Sequence, residues 1–478
     1  MTGASTAPLL GRDALANPTA VPPVPPVPPV RIVHLGLGAF HRSHQAWYTA
    51  HAVDADRWGI AAFTGRRPDA ADLLNAQEGV YTLVERGAEE DRFELIGSIV
   101  AASAGDDIAA FVETVAAHDV AVITLTVTEA GYRTDASGRL DLADSDTVID
   151  IGLLRRLVGE ARDADDADAD DAGDVANPGA AQAPRTVLAR LVLGLDARRR
   201  AGAPPVAIVP CDNLPDNGPR VRSALTELAS HVDPALAAWL PDGTSFVSTS
   251  VDRITPRFDP ADRELVAAST GRRDECPVVA EPFSDWVLSG EFPSGRPQWE
   301  TAGARFVDDI TPWEARKLWM LNGAHTLLAS AGRLCGHETV AEAFADPACR
   351  AEVEQFWDEA TRHLAAVETA EYRQALAERF SNPRIVHRLA QIAEGSAIKA
   401  RLRIVPVALA ERAEGRPATG CATALAAWIL QDADAVDDRS ALAELSPELA
   451  ADEEFVRTVQ RILPTLTERH REKAHPTR

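Results

Sequence analysis

Cysteine is scarce in this chain. The five residues in 478, Cys211, Cys276, Cys335, Cys349 and Cys421, form no C-x-x-C pair and have no histidines at zinc-finger spacing. That excludes a disulfide framework, leaves no metal site to expect, and suits reduced thiols in a cytosol. Positive charge is also short: 48 Lys and Arg face 72 Asp and Glu, a net charge of −24. Such an excess opposes binding to phosphate backbones or anionic lipid, so neither nucleic acid nor a membrane is expected as a partner. No apolar run is long enough to cross a bilayer, and no basic segment followed by an apolar stretch marks the N-terminus. A cytoplasmic protein is expected. The length points to two or three domains, each with its own core.

Two segments lack the pattern of a packed element. Residues 1–30 end in VPPVPPVPPV, whose prolines remove backbone donors and favour an extended, disordered tail. Residues 161–184 repeat Ala and Asp without an apolar stripe and read as a solvated acidic insertion. Between them, RIVHLGLG followed by AFHRSHQAWYTAHAV reads as strand, turn and helix. Further strands are expected at 58–63, 120–127 and 204–210, with helices at 106–118, 185–200 and 219–231. This alternation indicates an α/β domain with a mostly parallel sheet over residues 31–280. Helical patterns dominate afterwards, which gives a mostly α-helical domain over 281–478.

Gly36 and Gly38 stand where small residues let a backbone approach a pyrophosphate, although His41 replaces the third glycine of the usual fingerprint. Arg42 adds a cation. Beyond the second strand, Asp69 is the candidate for the adenosine ribose, and Arg66 and Arg67 for a 2′-phosphate. NAD is the first choice, with NADP open.

A second cluster lies in TPWEARKLWMLNGAH. Thr311, Pro312 and Glu314 suit the start of a helix. At about 100° per residue, Asn322 falls about 140° and His325 about 80° around the axis from Lys317, so the three share one broad face. Trp319, Met320 and Leu321 make an apolar setting that draws a lysine below its usual ~10.4 and fits it to exchange a proton. PCDNLPDNG, residues 210–218, follows a predicted strand at its carboxyl end, where ligands sit in open α/β sheets.

Taken in order, RIVHLGLGAFHRSHQAWYT, TLTVTEAGY, PCDNLPDNG, SVDRITP, the long run from EPFSDW to LNGAH, and ERFSNP resemble the polyol-specific long-chain dehydrogenases, from about residue 31 to at least 410. The resemblance implies a zinc-independent NAD-dependent enzyme with a Rossmann-like N-terminal domain and a helical C-terminal one. It implies Lys317 as general base or acid, Asn213 and Asn322 as donors to the reacting oxygen, His325 as the holder of a neighbouring hydroxyl, Asp252 as the residue that positions the lysine, and Glu314 as a gate for protons. It also makes Gly36, Gly38, Ala39, Phe40, His41 and Arg42 the family's own form of the dinucleotide loop.

Members differ in substrate, which is a polyol, a ketose or a uronate. In the helix expected over RFSNPRIVHRLAQIAEGSAIKARLR, residues 379–403, Gln391, His387, Arg388 and Arg403 look more like fructuronate reductase than mannitol 2-dehydrogenase; Lys399 matches a substrate-contacting lysine of the family, and with Arg403 it would pair with a carboxylate. Mannitol 2-dehydrogenase is the alternative, followed by arabinitol or mannitol-1-phosphate dehydrogenase. A catalytically silent nicotinamide-binding sensor is the rival from another class. A monomer or small homo-oligomer is expected.

Overall fold

The computed structural model describes residues 7–16, 24–65, 67–135, 138–166, 183–433 and 437–474. They form two compact units, residues 1–85 with 91–310 and residues 86–90 with 311–478.

The first unit is built on six parallel strands, numbered within the sheet as β1 (Val30–Leu35), β2 (Gly59–Phe63), β3 (Ile99–Ser103), β4 (Val122–Leu125), β5 (Val206–Pro210) and β6 (Thr244–Phe246). Their spatial order is β3-β2-β1-β4-β5-β6. This is the order of a dinucleotide-binding Rossmann sheet, with the order of the strands reversing between β1 and β4. Alternate residues feed two separate cores. Ile32, Ile60, Ala62, Val122 and Ala207 enter one, and Val33, Ala61, Phe63, Ile123 and Ile208 the other. Apolar side chains on both faces suit a sheet covered on both sides. Helices Ile108–Ala116, Val187–Arg200 and Asn217–Val232 cover one face, close to their expected spans. Among them lies Arg198, fully buried, whose guanidinium donates to the carbonyls of Pro204 (2.8 Å), Val115 (2.7 Å), Ala117 (3.1 Å) and Val120 (2.7 Å). Burial draws the arginine down to about 10.

Three sequence-based expectations change here. The tail is not wholly free: Leu10 is buried, its amide donates to Arg273 O at 2.9 Å, and Arg12 donates to Glu78 and to Gly97 O. Its partners lie 66 and 85 residues away, beyond the reach of local composition. Second, the units divide after Ile310 and not at 280/281, because Asp285–Ser289 pairs antiparallel with Ser248–Asp252 and so belongs to the first unit. Third, helix Ser145–Asp166 runs into the acidic insertion, while 167–182 lie outside the described residues.

The second unit is helical. Helices Ala324–Leu334, Pro347–Arg362, Thr419–Asp432 and Glu453–Ala474 pack around Phe356, Trp357, Phe380 and Leu425. Among the described residues no helix is long and apolar enough to cross a membrane.

Candidate active site

Gly36, directly after β1, has φ +107°, and a Cβ there would lie 2.4 Å from Thr126 O. Only glycine fits. At Gly38 the nearest atom to such a Cβ is Gly36 O at 3.5 Å, so its bare backbone is not a steric demand of the fold. Ala39 and Phe40 pack partly buried against the core. His41 points beneath the turn, fully buried and stacked on His34 with ring centroids 3.3 Å apart. The Thr126 hydroxyl donates to Gly36 O at 2.8 Å, so it must accept from His34 Nε2 at 3.0 Å; in the neutral ring His34 Nδ1 then accepts from Thr124 Oγ1 at 2.8 Å. Burial brings His34 down to about 3, which keeps it neutral; His41 is held well below the usual histidine range by burial and then by His34 and Arg42. Arg42 donates to Gly38 O at 3.2 Å and to Cys276 O, and lies over the Tyr81 ring. These side chains brace the turn from below, and the turn itself presents backbone.

A crevice of about 320 Å³ opens at the carboxyl ends of the strands. Gly36 lines it from β1, Thr64 and Gly65 from β2, and Thr126 and Thr128 from β4; Arg133, Arg185 and Arg190 contribute the cations. Arg190 donates to Gly65 O at 3.3 Å, and Arg133 and Arg185 both pair with Asp146. Sequence reasoning misses Thr126, Arg133 and Arg190; TLTVTEAGY, which begins within β4, holds Thr126 and ends beside Arg133, but nothing local marks Arg190. Asp69 is the exposed first residue of helix Asp69–Ala76, outside the crevice lining; Arg67 is exposed, and Arg66 lies outside the described residues.

The PCDNLPDNG loop is held by its neighbours of Asn213. Asp212 accepts from Tyr132 Oη at 2.6 Å and from the Leu214 amide at 2.9 Å. Asn217 accepts from the Thr249 amide at 2.9 Å and donates to Thr249 O at 3.1 Å and Pro210 O at 3.3 Å. Asn213 stands exposed on this fixed loop after β5. Asp252, buried, ends strand Ser248–Asp252, and the next residue, Arg253, pairs with Glu85 at 2.7 Å and donates to Ser43 O at 2.6 Å.

In the second unit the helix from Thr311 changes pitch. Residues Thr311–Arg316 are α-helical, Lys317–Gly323 form a π-helical turn, and α-helix resumes over Ala324–Leu334. This corrects the angular estimate: where hydrogen bonds run from i to i+5, residues five apart stack one turn above another, which brings Lys317 and Asn322 closer to one line than 140°. Glu314 sits half-buried in the first turn. His325 is buried against Phe380 and His387, with centroids 4.8 Å away in each case, and its Nε2 has no hydrogen-bond partner among the described residues. Burial, then His387, Arg379 and Arg403, hold it well below the usual histidine range.

The segment expected as one helix over 379–403 is broken. Leu389–Ala393 and Ser396–Arg403 are separate helices because Gly395, at φ +66°, reverses the backbone between them. Lys399 Nζ donates to Ile392 O at 2.8 Å, Arg403 donates to Asn322 O and Thr326 Oγ1, and Gln391 and Arg388 are exposed.

The family model of the mannitol dehydrogenase Rossmann domain matches residues 30–301, and that of the mannitol dehydrogenase C-terminal domain matches 309–463. The chain belongs to the mannitol dehydrogenase family. D-Mannonate oxidoreductase of Escherichia coli strain K12 is 35% identical over 433 residues, covering 88% of this chain and 83% of that protein. Mannitol 2-dehydrogenase of Aspergillus terreus is 33% identical over 390 residues, covering 78% and 72%. The solved Pseudomonas fluorescens mannitol 2-dehydrogenase, a ternary complex with NAD and D-mannitol, superposes with a TM-score of 0.71 at 30% identity, covering 93% of this chain and 94% of that one. Within this mannitol dehydrogenase family chain, the glycine turn and crevice belong to one unit and the Lys317, Asn322 and His325 set to the other.

Proposed function

We propose that this member of the mannitol dehydrogenase family is an NAD-dependent oxidoreductase that interconverts D-mannonate and its keto-uronate, D-fructuronate. The observation that carries the substrate reading is the gathering of basic side chains around His325: the His387 ring stands 4.8 Å from it, Arg403 reaches Asn322 O and Thr326 Oγ1 beside it, and Lys399 lies one turn before Arg403 on helix Ser396–Arg403. Such a field favours a substrate that bears a carboxylate over one that bears only hydroxyls. The likeness to D-mannonate oxidoreductase supports the same choice.

The Gly36 turn and the crevice with its three arginines fit a dinucleotide, which when bound supplies or accepts the hydride. Lys317 takes the proton of the alcohol during oxidation and returns it during reduction. The amides of Asn213 and Asn322 stabilise negative charge on the reacting oxygen, Asp252 positions the lysine, and neutral His325 offers Nε2 to an adjacent hydroxyl.

The test is the initial rate of NADH oxidation, repeated with NADPH, on D-fructuronate, D-tagaturonate, D-fructose and fructose 6-phosphate. Fructuronate with NADH is expected to be fastest. A preference for fructose would place the enzyme with the mannitol 2-dehydrogenases. In Lys317→Met, turnover should fall by roughly 10³-fold while NADH binding, followed by fluorescence, persists; unchanged turnover would remove the lysine from the mechanism.

A further inference from the structure

The helix that carries His325 ends at Leu334, and the next fifteen residues draw four side chains into one place. Cys335, at the helix C-cap, and Cys349, in the first turn of helix Pro347–Arg362, set their sulfurs 3.9 Å apart. His337 Nε2 lies 3.1 Å from Asp346 Oδ2. All four atoms lie within 4.8 Å of one another. The sequence reading saw five scattered cysteines and no ligand cluster, because the spacing C-x-H-x8-D-x2-C follows no zinc-finger pattern.

The local fold explains how they meet. Gly336, at φ +79°, turns the chain directly after the helix, with the His337 amide donating back to Gly332 O at 3.0 Å. A capping box of Thr339 and Glu342 then starts the short helix Val340–Ala345, which returns the chain to Asp346. Asp346 caps the next helix through Oδ1 on the Ala348 amide at 2.9 Å and turns Oδ2 to His337. Both sulfurs are buried, at 4% and 0% residue exposure, while the imidazole and carboxylate close the side nearer the surface.

The two edges within like pairs of ligands come close to those of a tetrahedral centre. With metal–sulfur bonds of about 2.3 Å the sulfur–sulfur edge is about 3.8 Å, and with metal–nitrogen and metal–oxygen bonds of about 2.0–2.1 Å the nitrogen–oxygen edge is about 3.3 Å. The observed edges are 3.9 Å and 3.1 Å. A disulfide would need the sulfurs at about 2.05 Å. Two thiolates, one imidazole and one carboxylate form a borderline-soft set suited to zinc, and four protein ligands leave no open position for substrate.

We propose that Cys335, His337, Asp346 and Cys349 form a structural zinc site that pins the far end of the helix bearing Lys317 and His325 to helix Pro347–Arg362. Cys335 lies ten residues beyond His325, about 15 Å along a helix axis, so the metal takes no part in hydride or proton transfer. The site stands or falls independently of the substrate assignment.

The experiment is elemental analysis of the full chain purified without chelator from zinc-containing medium, with Cys335→Ser, Cys349→Ser and His337→Gln beside it. One zinc per chain is expected in the parent, with loss in the serine variants and easier removal by a chromophoric chelator in His337→Gln. Because the serine variants could fail to fold, the folded parent is also stripped and titrated with cobalt(II), which should bind one per chain with thiolate-to-cobalt charge-transfer bands. Cys276→Ser, remote in sequence from the cluster, should keep its zinc. The proposal is overturned by a parent that neither retains zinc nor gives the cobalt spectrum, by equal zinc in all variants, or by a parent lighter by two hydrogens with Cys335 and Cys349 joined.

Discussion

The guanidinium of Arg403 donates to the backbone carbonyl of Asn322 at 3.4 Å, and the same nitrogen donates to Thr326 Oγ1 at 3.2 Å. The Thr326 hydroxyl also donates to that carbonyl, at 3.0 Å. The i→i+5 turn is thus clamped at the residue proposed to stabilise the reacting oxygen. Arg403→Met keeps much of the stem and removes the donors, and should cost about 2 kcal/mol of stability in urea unfolding. It should slow reduction of fructose as well as fructuronate, because Asn322 loses its support whichever substrate is present. A variant that loses fructuronate reduction alone would show that Arg403 acts only on the carboxylate.

Gly36 and Gly38 should both lose NADH affinity as alanine but differ in stability. Gly36→Ala meets Thr126 O at 2.4 Å in a backbone conformation alanine avoids, and should cost about 3 kcal/mol and abolish NADH binding. Gly38→Ala has room in the fold and should leave the urea midpoint unchanged, while weakening NADH roughly tenfold or more because a methyl stands where the pyrophosphate approaches. Equal NADH affinity in Gly38→Ala and the parent would take the pyrophosphate away from this turn.

Acid should destabilise the fold through its buried histidines. His34, His41, His325 and His387 are all held below the usual range by burial, so the unfolded chain takes up protons near pH ~6.5 that the folded chain refuses. Their contribution is present above that pH and lost as pH falls, by up to about 1.4 kcal/mol per pH unit for each histidine. His51, where burial is outweighed by its bonds to Glu94 and Trp47 O together with the charges of Glu94 and Glu85, works in the other direction, as one histidine against four. Urea unfolding between pH 7 and about pH 5 should show this loss, with a shallower slope in His41→Phe. A flat profile would mean that these rings carry charge inside the fold.

The parallel sheet was readable because β1, β2, β4 and β5 are short apolar runs, rich in Val, Ile and Ala, bounded by turn residues, and their burial on both faces leaves few alternatives. The K-x-x-x-x-N-x-x-H set was readable as residues and not as geometry, since a five-residue spacing looks misaligned until the local pitch is known. The break at His44, which divides the helix after the glycine turn into Ala39–Ser43 and Gln45–His51, leaves no comparable mark in the sequence. Leu10, Arg12 and the Cys335 cluster escaped for a different reason: their partners are supplied by turns and by distant segments, which composition does not record.

Residues 86–90 join the helical unit although the chain around them belongs to the other. Asn382 Nδ2 donates to Arg86 O at 3.0 Å, and Arg384 donates to Gly87 O at 3.1 Å, across 296 and 297 residues of sequence. During synthesis these two carbonyls leave the ribosome long before their donors exist, and they stay hydrated until most of the polypeptide has emerged. A nascent chain halted at Ile310 would hold every strand of the six-stranded sheet and still wait for the residues that bind the turn between strands Tyr81–Arg86 and Asp91–Ile96.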